Sequence, residues 1–405
     1  MANSAVRSLI LSLSLAGLAF SGSAAPHLRS SRSAADDLTV HEWGTFTSIA
    51  DRDGKPVSWN ALAGVYDLPG FIETLHGANF KAGLRGTIRM ETPVLYFYSP
   101  VPTTASVHVG FSNGVITEWY PHASHVEPDP RKFLQPNALY HWLQRDGSIS
   151  WDSVSIEPDA AAHFPADGNE SRYFTARETS SAPLTVTTPK GITQQEKFLF
   201  YRGVSAFHPP ISALALADGR VTIRNLGDDE IPGVILFERR GDALGYRLGG
   251  KLKGEMQLDP PELNSNNIDS LARELEAALT AQGLYPDEAR AMVETWRTSW
   301  FEDGTRLLYI VPRAFVDEVL PLSVSPAPSE TIRVFVGRME LITPVTEQAV
   351  EKALAARDRS AIHKYGRFLE PILDQLKAES PSRAAQLDKE LQETYNVELV
   401  DPPAR

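Results

Sequence analysis

Ile149-Ser-Trp-Asp-Ser-Val-Ser-Ile156 decides the fold class, because its apolar residues at 149, 151, 154 and 156 are separated by polar ones. A period of two is typical of a strand with one buried face, since successive side chains point to opposite sides of a sheet. Similar runs occur on both sides of this stretch, at residues 93–98, 106–111, 197–201, 213–217, 220–224 and 233–238. Turn dipeptides border several of them, at Asn113-Gly114, Asp218-Gly219 and Gly241-Asp242. Strands at this spacing predict antiparallel sheets stacked as a β-sandwich over residues 38–261.

The period changes to that of a helix after residue 261. Leu271, Leu275 and Leu279 recur every four residues, and Gly283 stands where a glycine commonly ends a helix. Pro286 is suited to the first position of a second helix. The apolar face of that helix would carry Ala289, Met292, Val293, Trp296 and Trp300. The sequence therefore predicts a helical hairpin inserted at residues 262–301, with both tryptophans buried.

The remaining sequence returns to strands over residues 302–342 and then becomes helical over residues 343–405. Thr343 is a suitable N-cap ahead of Pro344 at the first helical position. Pro371 falls inside an apolar helical pattern, where it is expected to kink or break the helix. The predicted fold class is therefore β-rich α+β, with one or two antiparallel β-sandwiches, an inserted helical hairpin and a C-terminal helical segment.

Residues 1–24 have the pattern of a secretory signal peptide. Arg7 supplies the positive charge, residues 9–20 form an apolar run of twelve, and small residues lead to a cleavage point before Ala25 or one residue later. A run of this length is short for a membrane span, which needs about 20 residues. No cysteine follows the run to accept a lipid. We expect a soluble exported bacterial protein, periplasmic or extracellular and not a lipoprotein, with a disordered lead-in at residues 25–37.

The composition is that of an ordinary globular protein, with 405 residues of which 42% are hydrophobic and 22% charged. The absence of cysteine excludes disulfides, cysteine nucleophiles and thiolate metal sites. The net charge is −12, and no stripe of lysine and arginine offsets it, so nucleic acid is not expected as a partner. No later stretch approaches the length of a membrane span, so no membrane insertion is expected after signal cleavage.

Leu38-Thr-Val-His-Glu-Trp-Gly-Thr-Phe-Thr47 resembles a family of exported bacterial proteins with an HEWGTFT-type N-terminal motif. The similarity covers nearly the whole mature chain. It continues through Arg89-Met-Glu-Thr-Pro-Val-Leu-Tyr96, Thr117-Glu-Trp-Tyr-Pro121, Trp300-Phe-Glu-Asp-Gly-Thr-Arg306 and Tyr365-Gly-Arg-Phe-Leu369. No established activity is known for this family. The resemblance therefore implies export and an intact chain, and it assigns no catalytic residue.

His122, His125 and Glu127 form a candidate metal site in the spacing H-x-x-H-x-E. Two imidazoles and a carboxylate can bind Zn²⁺ or another divalent ion and leave one position open for water. Pro121 and Pro128 flank the segment and indicate a loop rather than a helix. The alternative is an exposed polar loop in which the histidines only form hydrogen bonds.

His41 and Glu42 are weak candidates for an acid–base pair, because they are neighbours in the first predicted strand. Neighbours in a strand point to opposite faces, which favours a structural role for both. Glu91 and Glu118 are two further weak catalytic candidates. Together with Glu302 and Asp303 they lie beside aromatic residues, as the carboxylates of glycosidases do, although such acids are more often at the rim of a core.

Two classes of function follow from these observations. The first is a non-enzymatic extracytoplasmic binding or scaffold protein, which holds a glycan or a protein through exposed aromatic side chains or a sheet edge. This class is favoured because no catalytic motif is complete. The second is a metal-dependent hydrolase built on the His122, His125 and Glu127 site, with a divalent metal such as zinc. No other cofactor is expected, and the sequence leaves open whether the protein is an enzyme.

Overall fold

A ten-stranded sheet forms the middle layer of the fold. The computed structural model describes residues 37–62, 67–75, 84–129, 145–168, 171–265 and 268–396. The predicted signal peptide lies outside the described residues, as does the lead-in up to residue 36. The strands follow the order β16-β14-β13-β17-β19-β1-β3-β10-β5-β2. Their bounds are β1 (Thr39–Ala50), β2 (Glu73–Thr74), β3 (Ile88–Tyr98), β5 (Gly114–Tyr120), β10 (Leu199–Ser205), β13 (Ile231–Arg240), β14 (Ala243–Leu252), β16 (Asn264–Ser265), β17 (Gly304–Ile310) and β19 (Glu330–Leu341).

Strands β1 and β19 lie side by side in parallel, a pair that the prediction of an antiparallel β-sandwich did not include. Their register runs from Thr39 opposite Glu330 to Ala50 opposite Leu341. The other neighbours in this sheet are antiparallel. Since β1 and β19 come from distant parts of the chain, no short turn forces them to run in opposite directions. The returning strands β17 and β19 therefore lie in one sheet with β1 and β3.

A six-stranded antiparallel sheet packs on one face of the ten-stranded sheet, as predicted for a β-sandwich. Large side chains from both sheets share this core, including Phe46, Phe97, Trp151 and Phe335. The strands of the second sheet are β4 (Thr103–Phe111), β6 (His125–Glu127), β7 (Gly147–Ile156), β8 (Leu184–Thr187), β9 (Thr193–Glu196) and β18 (Leu322–Ser325). A further three-stranded sheet contains β11 (Ile211–Ala215), β12 (Val221–Asn225) and β15 (Glu255–Leu258).

The turn at Asn113 carries the chain from one sheet to the other. Strand β4 belongs to the six-stranded sheet and β5 to the ten-stranded sheet, so the turn between them does not close a hairpin. Asn113 has a φ of 45°, in the left-handed region that asparagine tolerates. The Ser205 hydroxyl donates to the carbonyls of Ser112 and Asn113 at 2.7 and 3.0 Å, which fixes this crossing.

The helical hairpin covers the other face of the ten-stranded sheet, as predicted. It consists of α1 (Ile268–Ala281) and α2 (Pro286–Trp300), separated by Gly283 with a φ of 108°. Trp296 and Trp300 are both 0% exposed, which confirms the helical period. Their rings stack with centroids 6.4 Å apart and pack in the same core as Trp43 of β1.

The C-terminal helices cover a different part of that same face. The C-terminal helices are α4 (Pro344–Ala355), α5 (Arg359–His363), α6 (Leu369–Glu379) and α7 (Ala384–Asn396). The short helix α3 (Arg313–Val319) precedes them and lies between β17 and β18. The Thr343 hydroxyl accepts from the Thr346 amide at 3.2 Å, so the predicted N-cap is confirmed. Pro371 lies in the first turn of α6, and the chain breaks just before it in a 3₁₀ turn at Gly366–Phe368.

The hairpin and the C-terminal helices rest on separate apolar cores. Between these two cores the sheet carries charged side chains instead of apolar ones, and a pocket opens there. Within the described residues, no helix combines the length and the apolar character needed to cross a membrane.

Candidate functional site

A polar pocket of about 280 Å³ lies between the end of α2 and the turn before α6, and is called the central pocket below. Thr298, Ser299 and Tyr365 line it from the two helical groups. Its charged lining residues are Asp67, Arg89, Arg172, Glu302, Lys364 and Arg367. Four of the five sequence segments quoted above for the family resemblance reach this pocket or the charged side chains directly around it.

The pocket is charged because several strands place ionisable side chains on the helix-covered face of the sheet. On β3, Arg89 and Glu91 are two residues apart and therefore share a face. On β19, Arg338 follows the buried residues Val334 and Val336 of the hairpin core at the same period. The strand pattern alone thus brings these groups under the helices, where hydrogen bonds must replace water.

Glu91 is the most enclosed acid beside the pocket, with 0% of its side chain exposed. Its Oε1 accepts from the Thr47 hydroxyl at 2.5 Å and from Arg367 Nη2 at 2.8 Å. Arg89 Nε lies 3.7 Å from the other carboxylate oxygen. Burial alone would raise the pKa of Glu91, but Arg367 and Arg89 outweigh it and hold that pKa well below its usual range.

Asp67 joins two more guanidiniums on the opposite side of the pocket. Its Oδ2 accepts from Arg172 Nε at 3.0 Å, and its Oδ1 accepts from Arg202 Nη1 at 2.9 Å. Arg172 also lies over the Trp296 ring, 4.6 Å from its centroid, which ties it to α2. Although burial opposes ionisation, Arg202 and Arg172 hold the pKa of Asp67 far below its usual range.

Glu302 closes the pocket at the end of α2. Its carboxylate pairs with Arg338 Nη2 at 2.5 Å. Burial raises the pKa of Glu302, but the charges of Arg338 and Arg306 outweigh burial and hold that pKa below its ordinary value. Arg306 is 0% exposed and donates to the carbonyl oxygens of Trp300 and Asp303 at 2.8 and 2.7 Å. This arginine satisfies the carbonyls at the end of the helix and fixes the turn that carries Glu302.

Positive charge exceeds negative charge around β3 and β10. The name arginine cluster is used below for Arg89, Arg172, Arg202 and Arg367. Among the described residues, the carboxylates of Asp67, Glu91 and Glu118 act on it, apart from Glu302, which acts on Arg367 but has Arg338 as its ion-pair partner. Four guanidiniums thus face three carboxylates. Burial, assisted by the neighbouring guanidiniums of Arg367 and Arg202, lowers the pKa of Arg89 to about 10.

Two donors of the arginine cluster have no hydrogen-bond partner among the described residues. The Nε atoms of Arg89 and Arg202 are buried and make no hydrogen bond. Their side chains are 10% and 2% exposed. An unsatisfied buried donor costs about 1–3 kcal/mol, more when it is charged. The cluster therefore holds buried positive charge that its own hydrogen bonds do not fully compensate.

His41 and Glu42 lie outside the central pocket, in separate buried pairs. His41 Nδ1 is 2.8 Å from Glu288 Oε2 of α2, which lies on the hairpin side of β1. Glu42 faces the sandwich side and accepts from Arg333 Nε at 2.5 Å and from the Tyr201 hydroxyl. The expectation that the two point to opposite faces is confirmed, and they do not form an acid–base pair.

The structure does not bring His122, His125 and Glu127 together. His122 Nδ1 lies 2.8 Å from Glu73 Oε1, whereas His125 is exposed on β6, 3.4 Å from Asp152 Oδ2. Glu127 accepts from the Asp129 amide. Within the described residues, no group of three or more histidine or acidic side chains is arranged to hold a metal ion. The predicted metal site is corrected to a polar segment, in which His122 and His125 pair with different carboxylates.

Of the remaining weak candidates, Glu91 and Glu118 lie beside the arginine cluster. The arginines themselves were not predicted as site residues. One signal was present, since Arg202 and Arg338 occupy inward positions of strands whose neighbouring positions are apolar. A buried charge in such a strand needs a partner, and that partner marks a site. Nothing in the spacing indicates which distant residues pair with them.

Comparison with known proteins assigns no family. No family model matches the chain. A stretch of 75 residues is 29% identical to the membrane protein insertase YidC of Shewanella halifaxensis (strain HAW-EB4), and it spans 18% of this chain and only 14% of the insertase. Two structures of the yeast delta-COP-I mu-homology domain, one with a WxWxV peptide, align at 8% and 9% identity over 75% of this chain. The alignments cover 96% and 95% of those two chains, with TM-scores of 0.21 and 0.22. These scores are too low to indicate a shared fold.

Proposed function

We propose that this protein is an exported, non-enzymatic binding protein that holds part of a glycan in the central pocket. The pocket volume of about 280 Å³ suits one sugar residue or a group of similar size, and is too small for a protein surface. Exposed aromatic side chains could also anchor a ligand. Among the described residues, Tyr285 and Tyr395 are of this kind, but Tyr285 precedes α2 and Tyr395 lies in α7. The pocket is therefore the better candidate.

The observation that carries this proposal is the state of the acids around the pocket. The pKa values of Asp67, Glu91 and Glu302 are all held below their ordinary values by arginines. A general acid in glycoside hydrolysis needs the opposite shift, so that it keeps a proton near neutral pH. Carboxylates that stay ionised and paired instead hold the surrounding guanidiniums in place, which reduces the entropy lost on binding.

Export rests on the first 24 residues, whose charge, apolar run and small residues fit a signal peptide. A periplasmic or extracellular location agrees with a chain that contains no cysteine to be oxidised. We do not extend the proposal to hydrolysis, because the three residues on which that alternative depended lie apart.

The test uses the mature protein, beginning at Ala25, and a panel of neutral and acidic saccharides, with binding measured by calorimetry. Thr298 lines the pocket and is exposed on α2, so Thr298→Trp fills the pocket without disturbing an ion pair. Thr280→Trp is the matched control, because Thr280 is an exposed threonine on α1 that does not line the pocket.

We expect at least one saccharide to bind to the wild type and to Thr280→Trp, and to lose about tenfold or more in affinity in Thr298→Trp. Equal affinity in all three proteins would place the ligand elsewhere. Absence of binding across the panel, or release of a cleaved product, would contradict a non-enzymatic glycan-binding function.

A further inference from the structure

We infer that the central pocket binds a carboxylate group of its ligand, with Arg89 and Arg367 as the residues that bind it, so that the glycan is an acidic one. This inference rests on the proposed function and adds the chemical class of the ligand. It is carried by three observations: the free donors of the arginine cluster, its charge, and the way its guanidiniums are held.

Arg89 is the residue of the cluster that combines an unsatisfied donor with a position in the pocket lining. Arg89 lines the pocket, and its Nη1 already donates to the Ala61 carbonyl at 2.9 Å, while its Nε has no hydrogen-bond partner in the described part of the chain. The distance of 3.7 Å to Glu91 Oε2 is beyond hydrogen-bond range. Arg89 Nε is itself shielded from solvent, so an oxygen ligand in the pocket would contact the exposed part of the Arg89 side chain and offset the charge that is buried with Nε.

The charge balance of the arginine cluster favours a ligand with a single negative charge. Glu302 acts on Arg367 but is counted here with Arg338, its ion-pair partner. Among the described residues, the four guanidiniums of the cluster then face the carboxylates of Asp67, Glu91 and Glu118, which leaves one positive charge. On the other side of the pocket, Lys364 pairs with Asp303 at 3.3 Å and Arg338 pairs with Glu302 at 2.5 Å. One carboxylate would neutralise the remaining charge, whereas a phosphate dianion would leave a negative charge in a half-enclosed site.

The guanidinium of Arg367 is held as a rigid planar donor. It lies 5.6 Å from the Trp59 ring centroid and 5.0 Å from that of Phe368, and its Nη2 donates to Glu91 at 2.8 Å. Its side chain is 13% exposed, at the pocket surface. A fixed guanidinium plane matches the two oxygens of a carboxylate, which a lysine at the same place could not do.

The mature protein is labelled with ¹⁵N-arginine and followed by NMR. It is titrated separately with sodium acetate, with phosphate at equal ionic strength, and with sodium chloride. The Nε–H signals of Arg89 and Arg202 are assigned from their lysine variants. We expect acetate to shift the Arg89 signal saturably, with a dissociation constant of about 1–10 mM for so small a fragment. Phosphate is expected to bind more weakly and chloride to give no saturable shift.

Two substitutions of equal size at Thr298 separate charge from shape. Thr298→Glu places a carboxylate at the exposed rim of the pocket, whereas Thr298→Gln differs from it only in charge. We expect acetate affinity to be about tenfold or more lower in Thr298→Glu than in Thr298→Gln, since like charges at this range repel. Both changes leave the ion pairs of the arginine cluster intact, so neither result depends on a fold defect.

Binding of glucuronate and of glucose is then compared, to test whether the carboxylate belongs to a sugar. Tighter binding of glucuronate than of glucose, abolished in Thr298→Glu, would support the inference. Tighter binding of phosphate than of acetate, or no saturable shift with acetate up to about 100 mM, would overturn it. Equal affinity for glucose and glucuronate in the pocket would overturn the acidic ligand while leaving a binding protein. Acetate binding without any saccharide binding would retain the carboxylate site and refute the glycan.

Discussion

Replacing Glu91 by glutamine tests whether the arginine cluster is held together by buried charge. Glutamine keeps the shape of the side chain but removes the charge that Arg367 and Arg89 share, and leaves two enclosed guanidiniums with one carboxylate fewer. Removing one partner of a buried pair costs about 3–5 kcal/mol, because the other charge remains buried and unpaired. Since the Glu91 side chain is 0% exposed, solvent gives no compensation, and we expect the full range.

The matched control is Glu370→Gln in the Arg85–Glu370 pair, which has the same chemistry on the surface. Its side chains are 41% and 46% exposed, so its loss should change the free energy of unfolding by about 0–1 kcal/mol. Urea unfolding at pH 7, followed by tryptophan fluorescence and circular dichroism, measures both. If Glu91→Gln costs less than about 1 kcal/mol, like the control, the pairing that defines the pocket is refuted.

The pH dependence of the same variant follows from the direction of the pKa shift. The pKa of Glu91 in the folded protein lies below the ordinary value of 4.5, so the unfolded chain binds its proton first as the pH falls. The contribution of Glu91 to stability is therefore complete above about pH 4.5 and is lost as the pH falls through the folded-state pKa. The difference between wild type and Glu91→Gln should be constant from pH 6 to 8 and shrink on acidification. A difference that stays unchanged at about pH 3 would contradict this.

Two further predictions concern the cores. Trp296→Ala should lower the free energy of unfolding by about 3–5 kcal/mol, because the ring is 0% exposed; a loss below about 1 kcal/mol in urea unfolding would be inconsistent with that burial. Gly44→Ala should destabilise by about 1–3 kcal/mol, since an added Cβ would lie 2.6 Å from the Phe335 ring. Gly254→Ala, where no atom lies within 4 Å, is the control and should leave the unfolding midpoint unchanged or slightly raised.

The elements that sequence predicted well are those that depend on local periodicity. Trp296 and Trp300 are separated by one helical turn, so the pattern that makes the helix amphipathic also predicts their burial. Thr343 and Gly283 act on the backbone groups next to them, so the ends of a helix can be predicted from a few neighbouring residues. His41 and Glu42 were correctly placed on opposite faces for the same reason, since alternation is a property of a single strand.

Pairings between distant residues could not be predicted in this way. The metal hypothesis failed because closeness in sequence does not imply convergence of side chains. His125 and Glu127 point outward from β6, while His122 turns to Glu73. The carboxylates Glu91 and Glu118 were singled out for their aromatic neighbours, although what distinguishes them is the arginine cluster. That cluster is drawn from strands β3 and β10, from a 3₁₀ helix at Arg172–Arg177 and from the 3₁₀ turn before α6, and no spacing rule connects these parts.

The sequence by itself determined the strands, the helical hairpin and the fold class, because hydrophobic burial acts through periods of two and of about 3.6 residues. Only the tertiary structure decided which strands became neighbours. The parallel contact of β1 with β19, and the transfer of the chain between sheets at Asn113, depend on the packing of whole layers. The central pocket depends on the same packing. Glu91 and Arg367 are 276 residues apart, and their ion pair exists because the sheet and the C-terminal helices enclose both charges and exclude the water that would separate them.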